Sequence, residues 1–194
     1  MTQVNKMHYC IGLDLAAKQD KCSGIAIIDL RNKEVVDVKC LNTDEEIINF
    51  VSSFKYSVIA IDAPLTNKPI MREVDKLMIK LGLRVFPPSF KWMKQLTLRG
   101  YELMNKLSNL GFTVIETHPR SVLKYAGLGS LKELFKFIGV KLGDLRVSNK
   151  HIEDALIASA VAYCYVSGCV SKVSSYDGTI YLIEKNKGNM KLSS

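Results

Sequence analysis

The chain has 194 residues, 47% hydrophobic and 24% charged, a composition that excludes a largely disordered or fibrous protein and suits one folded domain. Its 27 Lys and Arg against 19 Asp and Glu leave a formal charge of +8, which admits a polyanionic partner without demanding one. No apolar stretch with a cleavage signal opens the chain, and the apolar segment 155–170 falls short of the roughly 20 residues a membrane span needs, so we expect a cytoplasmic protein with no membrane partner.

The first predicted elements are strands. YCIGL at 9–13 runs into Asp14, and GIAIIDL at 24–30 and EVVDVKC at 34–40 follow after short connections, the pattern of a three-stranded antiparallel meander with RNK as its second turn. TDEEIINFVSSF at 43–54 has Thr43 as an N-cap and acids in its first turn, and Ile47, Ile48, Val51 and Phe54 follow helical spacing. SVIAID at 57–62 is apolar on both faces, as a central parallel strand is, and stops at Ala63-Pro64. Helices are predicted at 70–81 and 91–110, the second ended by Gly111. Between them FPPS at 86–89 must be irregular, because paired prolines cannot continue a helix. FTVIET at 112–117 is a strand ended by His118-Pro119, and 121–146 holds two short helices with glycine-marked breaks. A long apolar helix and a last short strand, TIYLIE at 179–184, complete the order. No repeat or low-complexity linker divides it, so we expect one α/β domain over 1–194 with a helical insertion at 63–111.

The five cysteines are odd in number, scattered, and include no C-x-x-C, which speaks against a disulfide framework and a zinc site. Cys164 and Cys169 read as small buried apolar residues.

Three strands end in an acid: Asp14, Asp62 and Glu116. Helical connections make the first, fourth and fifth strands parallel and adjacent. Their C-terminal edge is where open α/β sheets bind ligands, and neighbouring strands lie about 4.8 Å apart. Carboxylates so placed repel by roughly 4 kcal/mol per pair at ~4 Å and an effective dielectric near 20, so a proton or a cation must relieve them. Oxygen donors without a cysteine cage favour Mg²⁺ or Mn²⁺. HIEDALIAS at 151–159 opens an otherwise apolar helix with three polar residues. Acids at a helix start complement its dipole and Asn149 can cap it. If that helix docks over the strand ends, Asp154 also completes a four-carboxylate site, with His151 on the same face. Each acid taken alone reads more readily as a turn-forming residue, its side chain bonding nearby backbone amides. Arg72, Arg84, Arg99 and Arg120 are either solvated or phosphate-binding, and Trp92, near Phe86 and Phe90, reads as core rather than as a base-stacking platform. GLGSLKELFK lacks the GK[ST] ending of a phosphate loop.

The ordered set GLDLAAKQDKCSGIAI (12–27), IAIDAPL (59–65), Arg72-x-x-Asp75, Arg99-Gly100, IETHPR (115–120), DALIASAVA (154–162) and DGTIYLIE (177–184) resembles the RNase H-like fold. More closely it is similar to an uncharacterised prokaryotic family of predicted nucleases with that fold, distantly similar to Holliday-junction resolvases. The resemblance covers nearly the whole chain. It implies a five-stranded mixed sheet, three antiparallel strands then parallel ones, flanked by helices and carrying acids for divalent metals. In such resolvases the acids come from strand one, strand four and a late helix opening H-x-x-D-A, which correspond here to Asp14, Asp62 and Asp154 with His151 beside them. Resolvases usually carry Glu where this chain has Asp62, and Glu116 is our candidate to compensate.

The expectation is a Mg²⁺- or Mn²⁺-dependent nuclease with a two-metal site acting on DNA or RNA, with resolvase-like homodimerisation open. Asp14, Asp62, Asp154 and His151 would be catalytic, Glu116 would join the three aspartates as a metal ligand, and Lys18, Lys21, Arg72, Arg99 and Arg120 would hold the nucleic-acid backbone. One alternative is a non-catalytic RNase H-fold module that binds nucleic acid or protein. The other, an actin-like-fold phosphotransferase, lacks the expected glycine-threonine pair after Asp14.

Overall fold

The computed structural model describes residues 7–86, 90–143, 145, 147 and 149–185; the two chain ends and all of FPPS except Phe86 lie outside the described residues. The elements are β1 (Tyr9–Asp14), β2 (Ser23–Asp29), β3 (Glu34–Leu41), α1 (Asp44–Val51), β4 (Ser57–Ile61), α2 (Glu73–Lys80), α3 (Lys91–Asn109), β5 (Thr113–Thr117), α4 (Pro119–Ala126), α5 (Leu131–Ile138), α6 (Lys150–Ser167), β6 (Val170–Ser175) and β7 (Gly178–Ile183). They form an α/β fold on one mixed sheet of order β3-β2-β1-β4-β5-β7-β6. The meander is antiparallel, β1, β4, β5 and β7 run parallel, and β6 returns antiparallel at the edge.

The sheet has seven strands, where five were expected. The strands read from the residues already include β7, as TIYLIE at 179–184; the one they lack is β6, the other half of the β6–β7 hairpin. That strand, VSKVSS, is short and mostly polar, and it follows an apolar run that reads as one helix through residue 170. That helix in fact ends at Gly168, whose φ of +81° suits glycine, and the Gly168 and Cys169 amides donate back to the Cys164 carbonyl at 2.9 and 3.0 Å. Thr43 caps α1 as expected, its hydroxyl accepting from the Glu46 amide while Glu46 accepts from the Thr43 amide.

Period-2 alternation divides the core between the two faces of the sheet. Ile11 and Leu13 of β1 pack with Ile47 and Val51 of α1 and Leu103 and Leu107 of α3. Cys10 faces the opposite way, into the core built by α2, α4, α5 and α6. There α6 lies directly over β1 and β2, and two glycines permit it. A Cβ on Gly12 would collide with the Ala155 carbonyl and the Ser159 nitrogen, and one on Gly24 with the His151 carbonyl. Both obstacles are helix backbone and cannot rotate away. No helix among the described residues is long and apolar enough to cross a membrane.

Gly12→Ala should therefore cost about 3 kcal/mol or more through forced helix displacement, against less than about 1 kcal/mol for Gly→Ala at an uncrowded strand position. Urea unfolding of the two variants side by side measures the difference.

Candidate active site

The register of the central strands decides where the acids sit. Leu13 pairs with Ile61 across β1 and β4, and the Asp62 amide donates to the Leu13 carbonyl at 2.8 Å, so Asp14 and Asp62 leave the sheet side by side. Ile61 pairs in turn with Glu116 on β5. From above, α6 adds His151 and Asp154, its start fixed by Asn149, whose side chain accepts from the Ile152 amide at 3.0 Å. The His151 Nδ1 lies 2.6 Å from Asp14 Oδ2, and Lys150 Nζ lies 3.3 Å from Asp154 Oδ1. Asp14, Asp62, Glu116, His151 and Asp154 all line one cavity of about 760 Å³.

Burial and mutual repulsion govern the charge of this cluster. Burial raises the Asp14 carboxyl above its ordinary range and Asp154 adds to the rise, while the His151 hydrogen bond opposes it. Asp62 is pushed up furthest, by burial and then by Asp14 and Asp154. Asp154 is raised by burial against the pull of Lys150 and Arg120. Among the described residues no three His, Cys, Asp or Glu side chains stand as a ready-made metal cage. What fits a hard divalent cation is the donor chemistry: carboxylates in one cavity, held unfavourably as anions, where a cation would remove both penalties.

Glu116 does not compensate for the short Asp62 side chain. It accepts from Arg72 Nη1 at 2.8 Å and Nη2 at 2.5 Å, and from the Leu65 amide at 2.8 Å. Arg72 is 4% exposed and is also bonded to Asp75, so it is an internal counter-ion rather than a backbone-binding surface group. Burial works against its charge, but Glu116 and Asp75 more than offset that and raise its pKa. Arg99 is likewise internal. Its guanidinium bonds Asp44 and the Ala16 and Asn42 carbonyls at 2.7–2.8 Å, pinning the turn that follows Asp14. Of the remaining basic candidates, Lys21 and Arg120 line the cavity and Lys18 lies exposed on the same turn as Lys21.

Sequence reasoning missed several features. His118 reads from sequence as a turn residue before proline. It caps α4, its Nδ1 accepting from the Ser121 amide at 3.3 Å, and burial with the nearby Arg120 pushes its pKa down to about 4. The imidazole is therefore neutral at physiological pH with its proton on Nε2. The His-Pro pair at a helix start was the available signal. Two disulfides, Cys22–Cys40 and Cys164–Cys169, correct the expectation of none. Cys40 sits opposite Gly24 on the neighbouring strand, a pairing that spacing in the chain cannot reveal. Phe86 and Trp92 face the cavity instead of the core, about half exposed.

No protein-family model matches the chain, and no curated protein matches it by sequence. Solved structures do. Thermus thermophilus RuvC is 15% identical with a TM-score of 0.48, over 82% of this chain and 96% of that one. The same protein in complex with Holliday junction substrate is 16% identical with a TM-score of 0.48, over 83% and 96%. The large terminase nuclease from thermophilic phage G20c is 15% identical with a TM-score of 0.31, over 82% of each chain. The function has to be argued from the site itself.

Each raised carboxyl binds its proton more tightly in the folded than in the unfolded chain. Its contribution to stability is complete below the ordinary carboxylate range near pH 4 and is lost as pH rises through the raised value. Asp62→Asn should thus stabilise the metal-free protein at neutral pH by about 1 kcal/mol, a few degrees in Tm, with the gain vanishing below about pH 4. Arg72→Met should act oppositely, costing about 3–5 kcal/mol because it strands Glu116 and Asp75 without a counter-ion. Thermal denaturation across pH checks both.

Proposed function

We propose that the chain is a divalent-metal-dependent nuclease that hydrolyses phosphodiester bonds. One observation carries this: Asp14, Asp62 and Asp154 arrive from two adjacent parallel strands and a helix in one cavity, with burial opposing the ionisation of each. Structural aspartates are distributed to satisfy turns and caps; these three are brought together at a cost in stability and, among the described residues, are bonded to no buried cation. The three would hold Mg²⁺ or Mn²⁺, which when bound supplies Lewis-acid polarisation of the phosphate and a more acidic water.

The chain's own groups divide the remaining work. His151, half-exposed at the cavity mouth and bonded to Asp14 through Nδ1, is placed to hold or pass a proton at Nε2. Lys150 and Arg120 moderate the negative charge of Asp154, and Arg120 that of Asp62, so that a phosphate can approach. Lys18 and Lys21 on the β1–β2 turn offer mobile cations to the backbone beyond the scissile bond. Glu116 stays with Arg72 and shapes the wall. The reading needs no second copy of the chain.

Calorimetric titration of Mn²⁺ should show binding in the wild type that is lost in Asp14→Asn and Asp154→Asn. End-labelled single strands, duplexes and junctions incubated with Mg²⁺ or Mn²⁺ should then be cut, with about 100-fold or greater loss in each variant and about 10–100-fold loss in His151→Ala. Nucleic acid bound equally well by wild type and Asp14→Asn, with neither metal binding nor cleavage, would instead identify a non-catalytic binding module.

A further inference from the structure

The cavity does not end at the carboxylates. It adjoins a second one of about 390 Å³, and Phe86, His118 and Arg120 line both. The remaining walls of the smaller cavity are Arg84, Ser121 and Lys124.

Three features of this end point to a ligand. The first is charge. Arg84, Arg120 and Lys124 are exposed, and none is in an ion pair among the described residues; Lys124 Nζ donates to the Gly82 carbonyl at 2.9 Å. The second is a missing partner. Ser121 is 2% exposed, yet its Oγ has no hydrogen bond among the described residues, a rare condition for a buried hydroxyl. It lies in the first turn of α4, where the helix dipole favours an anion. The third is the aromatic wall. Phe86 and Trp92 are 50% and 48% exposed, with ring centroids 5.4 Å apart in an edge-to-face pair, and both border the larger cavity.

We infer that the two cavities together form a subsite for one unpaired nucleotide. Its base lies against Trp92 and Phe86, and its phosphate lies among Arg84, Arg120 and Lys124, accepting from the Ser121 hydroxyl. The inference rests on the nucleic-acid reading above and narrows it. Pockets of roughly 300–1,000 Å³ enclose ligands of nucleotide size, whereas a duplex keeps its bases stacked inside and out of reach of an aromatic wall. The substrate class is therefore a single strand, or a duplex with at least one base displaced, and every base offers a face to stack.

Trp92 is the only tryptophan, so its fluorescence reports this wall directly. Metal-free protein is titrated with a short single-stranded oligonucleotide, a blunt duplex of the same sequence and adenosine monophosphate. Binding of labelled strands is followed in parallel by anisotropy. The single strand should quench Trp92 and bind at least about tenfold more tightly than the duplex, and Trp92→Ala should weaken it about tenfold. Arg84→Ala and Ser121→Ala should each weaken it about three- to tenfold. Ser121→Ala removes an unsatisfied hydroxyl, so its unfolding midpoint should be unchanged or higher, which separates lost affinity from lost fold. Adenosine monophosphate that quenches, and stops doing so in the same variants, makes a free nucleotide sufficient; quenching by the strand alone makes its neighbouring nucleotides part of the site.

Strands that bind without quenching Trp92, or equally well in Arg84→Ala and Ser121→Ala, would overturn the subsite and leave the nuclease to its cleavage assay. Quenching with the expected variant losses but no cleavage in any metal would keep the subsite and remove the nuclease. No binding by strand or monophosphate would overturn the subsite outright.

Discussion

The contact on which the site depends is backbone against backbone. Packed helices and sheets ordinarily stand about 10 Å apart, held off by their side chains. At Gly12 and Gly24 no side chain intervenes, and the first turns of α6 settle onto β1 and β2. Only that closeness lets His151 reach Asp14 and lets Asp154 share a cavity with two strand-end carboxylates. The apolar character of α6 beyond its first turn follows from the same placement, since a helix pressed into the sheet and roofed by α4 and α5 has almost no solvent face.

Within that frame, charge is allocated unequally. Four carboxylates reach the sheet edge, and the fold supplies a permanent buried counter-ion to one of them. Arg72 joins Glu116 on β5 to Asp75 on α2, and Asp177, in the β6–β7 turn, accepts from the Glu73 and Val74 amides at 2.6 and 3.2 Å. The insertion, the central sheet and the edge hairpin thus meet in one polar network beside the cavity. Removing Glu116 from the acidic cluster leaves three carboxyl groups whose repulsion is answered only in part, by Lys150, His151 and Arg120. A group of anions balanced against exposed, exchangeable partners can accept a cation; one locked to a buried arginine cannot.

The sequence was informative where physics is local and periodic. The alternating and continuous apolar runs located β1 to β5, and the rule for helical connections placed Asp14, Asp62 and Glu116 on adjacent strands, as the register confirms. It was silent where a side chain's partner lies far along the chain. Arg72 and Arg99 look no different from Arg120 in sequence, yet the first is consumed 44 positions away by Glu116 and the second 55 positions away by Asp44, while Arg120 stays exposed. The motifs behind the family resemblance divide in the same way. Asp14, Asp62, Asp154, Arg72 and Asp75 all line the cavity, but Arg72 and Asp75 are bonded to each other and, with Arg99-Gly100 and Asp177, are scaffolding, Gly100 being the point where a Cβ would stand 2.9 Å from Ala63. Composition misled about Trp92 and its neighbours, because aromatic residues inside a helical pattern are usually core and nothing in the spacing says which face meets a cavity.

The insertion therefore does two jobs with different parts. Its buried part, Arg99 and Gly100 on α3 with Arg72 and Asp75 around α2, clamps the turn after Asp14 and the strand end at Ala63, so the carboxylates are held from both sides of the sheet. Its exposed part, Phe86 and Trp92, lines the same cavity as those carboxylates. Changes in the first part would shift the acids relative to one another and be felt as loss of stability and chemistry together. Changes in the second would alter what lies against the wall while the acids stay in place. The cavity thus joins carboxylates fixed by buried contacts to a wall of exposed aromatic and basic side chains.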